Sequence, residues 1–184
     1  MQHRSFLTSS QLLVVAGKNA KQNEEVVKLA KSGDLILHTK APGSPFCVVK
    51  ASSDKKKVDE QSIKEAANFC AAFSKAWKQG KKQIEVHAFK PEDVYKSKSM
   101  PLGTYGVKKT LKQLKVKPEI GIGMKDKKLQ CSPVSALDKV YIVLKQGKLM
   151  KEKAAEKIKA LLEAKGLRVS KEQIMQLIPA GAVA

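Results

Sequence analysis

The sequence predicts a mixed α+β fold: a largely antiparallel sheet packed by two main helices in one compact domain spanning residues 1–184. Three observations carry this. Short apolar runs bounded by glycine, proline, asparagine or lysine turns recur along most of the chain, as half-buried strands do. Two longer segments instead place apolar residues at spacings of three and four, the mark of a buried helical stripe. Finally, 184 residues with a hydrophobic fraction of 42% suffice for one sizeable core.

In chain order, residues 1–11 are a lead-in whose Phe6 and Leu7 tuck onto the sheet. Residues 12–16 form an apolar strand ending at Gly17, followed by a polar turn of Lys18, Asn19, Lys21, Gln22 and Asn23. A short helix is expected over 24–30. Gly33 and Asp34 then turn the chain into a strand over 35–37 that closes on His38. Residues 40–45 are a loop whose backbone is set by Pro42, Gly43 and Pro45. A strand over 46–50 and a lysine-rich loop over 51–58 lead to the clearest helix, 59–79. It carries Ile63, Ala66, Ala67, Cys70, Phe73, Ser74 and Trp77 on one face, with Asp59 near its start and Gly80 as its stop.

A strand follows over 84–89, with Ile84, Val86 and Ala88 on one face and His87 on the other. Residues 90–104 form an irregular surface connection, and 105–109 a short strand ending in Lys108 and Lys109. Short strands over 119–124 and 128–131, joined by an Asp126-Lys127 turn, come next, then a stronger strand over 139–144. The second helix covers 150–164, with Ala154, Ala155, Ile158, Leu161 and Leu162 on one face. A last strand over 167–169 and a helical turn over 172–178 complete the chain. The core is placed at about 10–134, with 135–184 as a β-α-β annex of the same unit.

Charge narrows the function. Lys+Arg number 36 against Asp+Glu 17, a net of +19, and arginine occurs only at Arg4 and Arg168. Lysine is a mobile point charge suited to phosphate, whereas arginine supplies the fork that reads guanine, so backbone-dominated polyanion binding is favoured. Lysine does not separate RNA from DNA. No apolar run approaches the ~20 residues needed to span a bilayer, so a membrane role is not expected. Cys47, Cys70 and Cys131 form neither a metal pair nor a disulfide framework, which reads as reduced thiols in a cytoplasmic protein.

The constellations of catalysis are thin. Gly17-Lys18 lacks the upstream glycine of a phosphate loop, and Asn19 stands where Ser or Thr would hold magnesium. Gly121 and Gly123, inside a strand, are better explained by close backbone approach than by a dinucleotide. His3, His38 and His87 lack metal-ligand spacing, and no cofactor is implied. Asp34 and His38, four residues apart on a strand, would lie about 13 Å apart, too far for a hydrogen bond. His38 is then either a satisfied structural histidine or a contact to RNA. The expectation from the residues is a non-enzymatic nucleic-acid binder. Lys18, Asn19, Lys21, Gln22, Asn23, His38, Lys96, Lys98, Lys108 and Lys109 are its nucleic-acid contacts, and Gly17, Asp34 and Gly43 orient the turns. Two alternatives are an accessory subunit presenting RNA to a modifying enzyme and a DNA-binding protein.

The order Gly17-Lys18-Asn19-x-x-Gln22-Asn23, Gly33 to His38, then Pro42-Gly43-Ser44 resembles the NFACT-R domain. The helix segment from Glu65 through Trp77 and the segment from Val86 to Val107 resemble it too, and the block from Pro133 to Gly181 is similar to archaeal versions. The resemblance implies an RNA-binding module with tRNA or ribosomal RNA as ligand, the large ribosomal subunit as a further partner, and a link to ribosome quality control. Two positions depart from the pattern: Ile36 stands where the family often has Trp, and Pro45 where it usually has His, which weakens a role for that loop.

Overall fold

A computed structural model describes residues 2–51 and 57–184. The chain runs through β1 (Arg4–Leu7), β2 (Leu13–Ala16), α1 (Ala20–Lys28), β3 (Leu35–Thr39), β4 (Cys47–Lys50), α2 (Glu60–Ala72), α3 (Lys75–Lys78) and β5 (Ile84–Phe89). It continues through β6 (Val94–Tyr95), β7 (Gly106–Val107), β8 (Lys112–Val116), β9 (Ile120–Lys125), β10 (Lys128–Pro133), β11 (Lys139–Gln146), α4 (Lys151–Glu163), α5 (Lys171–Leu177) and β12 (Ala182–Val183). Paired strands are antiparallel throughout, as the mixed α+β expectation required.

Six strands form the first sheet in the order β1-β2-β4-β3-β5-β8, and four form the second, β10-β9-β11-β12. Helix α2 lies against β3, β4, β5 and β8 and also reaches β9 and β10, so one helix serves both sheets. Its alanines Ala66, Ala67, Ala71 and Ala72 are fully buried, and small side chains let helix and sheet approach closely. Helices α4 and α5 close the second sheet with Ala154, Ala155, Ile158, Leu162 and Ile174. The opposite face of the first sheet carries a smaller cluster of Val26, Ile36, Phe46, Val48 and Phe89. Ile36, where the family often has Trp, is packed there. Residues 120–124 pair with 139–144, so a line drawn at 134/135 passes through the second sheet.

Several elements differ from the sequence expectation, each for a local reason. The helix over 59–79 is two helices. Ser74 takes an extended conformation, donates its hydroxyl to the Ala71 carbonyl at 2.6 Å and accepts from the Trp77 amide at 3.2 Å, so a serine cap interrupts the apolar stripe. Helix α1 starts at Ala20 rather than residue 24, because Asn19 caps it. The lead-in contains β1, and the strand over 105–109 shrinks to β7. Residues 112–116, passed over as lysine-rich connection, form edge strand β8, its burial alternating along the strand. Leu167 and Val169 pack on the core without a ladder, and the last strand is β12, paired with β11. Gly121 and Gly123 are as close to backbone as expected: a Cβ on Gly121 would lie 2.8 Å from the Ile142 carbonyl, and one on Gly123 would strike that of Lys139. Of the run Lys55-Lys56-Lys57, the first two residues lie outside the described residues.

Two buried carboxylates tie the layers together. Glu65, 1% exposed, accepts from the Ser9 amide at 2.8 Å, the Gln61 amide at 2.9 Å and the Ser135 hydroxyl at 2.9 Å. It thereby joins the β1–β2 turn, α2 and the segment after β10. Asp34, also 1% exposed, accepts from the amides of Lys31 at 2.9 Å and Ala51 at 2.8 Å and pairs with the Lys50 ammonium. These bonds fix where β3 begins and β4 ends. Asp34→Asn removes the charge that balances a largely buried lysine and should destabilise the fold by about 2 kcal/mol, lowering the thermal midpoint by roughly 4–8 °C. A melt followed by circular dichroism that does not move would show that the pair contributes nothing.

Candidate nucleic-acid interface

The first turn of α1 is positioned by its own side chains. Asn19, extended at φ −156°, accepts from the Gln22 amide at 2.9 Å. Gln22, buried, reaches back to accept from the Lys18 amide at 3.0 Å. Asn23 accepts from the Phe46 amide at 3.1 Å, and the Gly17 amide donates to the Phe46 carbonyl at 3.3 Å. Gly17 leaves room for this: a Cβ there would strike the Asn23 side-chain oxygen and sit 2.7 Å from the Asn23 amide. The segment expected to be a free polar turn is thus a capped helix start bolted to the entry of β4.

Above it, the 96–104 connection is held by one lysine. Lys96 pairs with Glu24 at 2.6 Å, donates to the carbonyls of Pro101 at 2.6 Å and Thr104 at 3.1 Å, and lies 5.3 Å from the Tyr105 ring centre. Glu24 also accepts from the Gly103 amide at 3.1 Å. The bond from Lys96, then that from Gly103, holds the Glu24 carboxyl below its ordinary range. Gly103, at φ +76°, lets the loop pass the start of α1, with the missing Cβ only 2.8 Å from the Cα of Ala20.

Between these pieces lies a cleft of about 600 Å³. It is lined by the β2–α1 junction, the end of β3, the 40–46 loop, β5 and residues 103–107. Phe46 contacts His38, with ring centres 4.4 Å apart, and meets Tyr105 edge-on at 5.4 Å. Phe89 lies 6.2 Å from His87, which stands opposite His38 on the paired strand. Arg4 donates to the Gly17 carbonyl at 3.0 Å and rests 4.7 Å from the Phe73 ring centre. Lys18 and Lys40 also line the cleft, and none of its lining residues is Asp or Glu. Burial, and then the Arg4 charge, lower the Lys18 pKa. His38 bonds the Thr39 carbonyl at 2.7 Å through Nδ1, which must carry the proton because a carbonyl only accepts. Burial lowers the His38 pKa, against an opposing pull from the carbonyls of Thr39 and Ser44.

Of the residues expected at the interface, Gly17, Lys18, Asn19, Asn23, His38 and Gly43 line the cleft. Lys21 is exposed on α1, and Gln22 is inside it. Asp34 lies at the other end of β3, engaged with Lys50, so it makes no pair with His38. Lys96 is a strut of the loop, whereas Lys98, Lys108 and Lys109 are exposed beyond the cleft. Sequence reasoning missed Arg4, Lys40, Phe46, His87, Phe89 and Tyr105. Phe46 and Phe89 read as ordinary strand hydrophobes, and only register shows that they converge. Among the described residues no group of three His, Cys, Asp or Glu side chains is placed to hold a metal. Cys47, Cys70 and Cys131 are buried free thiols, Cys47 and Cys131 with pKa values pushed upward mainly by burial.

An aromatic-lined cleft carrying cations, on an α+β chain of net charge +19, has the features expected of a basic nucleic-acid-binding module. Residues 2–109 match the NFACT protein RNA binding domain, and the chain belongs to that family. It is 30% identical over 182 residues to the archaeal Rqc2 homolog aRqcH of Methanocaldococcus jannaschii, covering 92% of this chain and 26% of that protein. It is 45% identical over 74 residues to the Rqc2 homolog RqcH of Bacillus subtilis, covering 39% of this chain and 12% of that protein. The chain therefore spans about a quarter or less of the length of these relatives. Among solved structures it is similar to the C-terminal part of the fibronectin/fibrinogen-binding protein of Streptococcus suis, with a TM-score of 0.57 and 25% identity over 69% of this chain and 47% of that one.

Two outcomes test this geometry. Gly17→Ala should cost about 1–3 kcal/mol, because Asn23 cannot recede without losing Phe46, and should weaken nucleic-acid binding in step; chemical denaturation beside a binding titration checks both. His38 has a folded pKa below that of the unfolded chain, so the unfolded state gains protons first on acidification. Stability should fall as pH drops below about 6.5 towards the folded pKa, and less so in His38→Gln; urea midpoints above and below that pH measure the difference.

Proposed function

We propose that the chain binds structured cellular RNA, tRNA or ribosomal RNA, in the cytoplasm and in the setting of ribosome quality control, and that it carries no catalysis of its own. The observation that supports this most is the convergence of Arg4, Lys18 and Lys40 with Phe46, Phe89 and Tyr105 in a cleft without carboxylates. The lysines of its rim and of the surrounding surface, Lys21, Lys98, Lys108 and Lys109 among them, attract the phosphate backbone. The ring faces and the polar groups of the α1 start give directional contacts. The ribosome-linked setting is supported by the names of the relatives, Rqc2 homologs and the human ribosome quality control complex subunit NEMF, 29% identical over 73 residues. The large ribosomal subunit is the partner this reading implies.

Crosslinking of bound RNA in native cells followed by sequencing tests it: enrichment of tRNA or of a defined ribosomal RNA patch is expected, and a diffuse harvest would sink the quality-control setting. In vitro, Lys18→Gln with Lys40→Gln should lower RNA affinity and flatten its salt dependence by about 0.7 in logarithmic slope per lysine that touches a single strand. An unchanged slope in the folded double variant would place the phosphates elsewhere.

A further inference from the structure

We infer that the cleft is a pocket for a single unstacked nucleotide, so that the protein takes RNA by an unpaired base in a loop, bulge or end rather than by the surface of a duplex. This rests on the RNA-binding reading and adds to it the form of the ligand. The first argument is shape. A concavity of about 600 Å³ admits a base with its ribose and phosphate, and it is walled by β-strand ends on one side and the 103–107 segment on the other. A duplex is too wide to enter, so a paired base would have to leave its helix first.

The second argument is the character of the lining. Tyr105, His38 and His87, each half-buried, bring rings to the cleft over a buried floor of Phe46 and Phe89, and bases of every kind stack on aromatic rings. Burial keeps His38 neutral near pH 7. With its proton on Nδ1, facing Thr39, its other nitrogen is an acceptor. The third argument is unmet hydrogen bonding. Among the described residues, the buried side-chain polar atoms without a partner are Arg4 Nε, Tyr105 Oη and Trp77 Nε1. The first two belong to the cleft lining. A buried donor or hydroxyl is rarely left unpaired, and a heteroaromatic ring edge that parts the lining, with donors and acceptors side by side, would satisfy both kinds of group. The carboxylates that touch the lining are already engaged: Glu24 with Lys96 and Gly103, Glu85 with Lys40 and His87. Lys18, whose ammonium donates to the Gln176 side-chain oxygen at 3.3 Å and keeps two further N–H donors, is the cation placed for the phosphate.

The test uses the full chain and a short fluorescent oligouridylate, its duplex with oligoadenylate, and a series carrying one abasic site moved along the strand. Single strand should bind about tenfold or more tightly than duplex at equal salt, and one or two abasic positions should weaken binding by about tenfold while the others do little. Tyr105→Phe, which keeps the ring and removes only the hydroxyl, should weaken the intact strand about fivefold, roughly the weight of one hydrogen bond, and leave the abasic strand unaffected. Equal affinity for single strand and duplex with a flat abasic series would overturn the pocket while leaving RNA binding through surface lysines intact. Failure to bind any RNA, in a chain with native circular dichroism, would overturn the RNA reading and the pocket together.

Discussion

The arrangement depends on one junction, where Gly17, Asn23 and Phe46 meet. Glycine is required at position 17 because the first turn of α1 occupies the space of a side chain, and Asn23 uses that proximity to reach the Phe46 amide. The end of β2, the start of α1 and the entry to β4 are thereby fixed to one another by backbone-level contacts. Phe46 then sets the positions of His38 and Tyr105 through ring contacts, and Glu24, one residue past Asn23, anchors the loop that forms the far wall. The lining segments share this joint, so contacts within the chain fix their positions relative to one another.

Charge and contact are different properties of a lysine, and the protein separates them. Lys96 holds a loop, Lys50 balances a buried aspartate, and Lys125, 7% exposed, pairs with Asp138 at 2.9 Å. These residues count towards the net charge but are committed within the fold. Lys98, Lys108 and Lys109 remain exposed, and Lys18 and Lys40 stand at the cleft. The basic composition therefore resolves into cations committed within the fold, exposed cations, and Arg4, Lys18 and Lys40 at the cleft, of which Lys40 also pairs with Glu85 at 3.4 Å.

Most strands and both long helices were legible because their signals are local. Alternation over 84–89, the apolar stripes of α2 and α4 and the Asp126-Lys127 turn, with φ of 47° and 63°, each follow from a few neighbouring residues. The failures share a cause. Ser74 looked like a small residue on a buried face until its hydroxyl was seen capping α3, and β8 hid among lysines because an edge strand needs only every second residue inward. Strand β12 is two residues long and exists only because β11 passes beside it. At the site, the Gly17–Asn23 segment was visible as a polar cluster, but whether those amides face outward or cap a helix is decided by where the helix begins.

By itself, the sequence determined the mixed α+β class, the basic character, the three unpaired thiols and the segment around which the site is built, since these follow from composition and from patterns a few residues long. Only the tertiary structure decided which polar groups are engaged and which face the cleft. Arg4, His38, Phe46, Phe89 and Tyr105 are distant in the chain, and they converge because strand register and one glycine-permitted contact bring their backbones to the same end of the sheet.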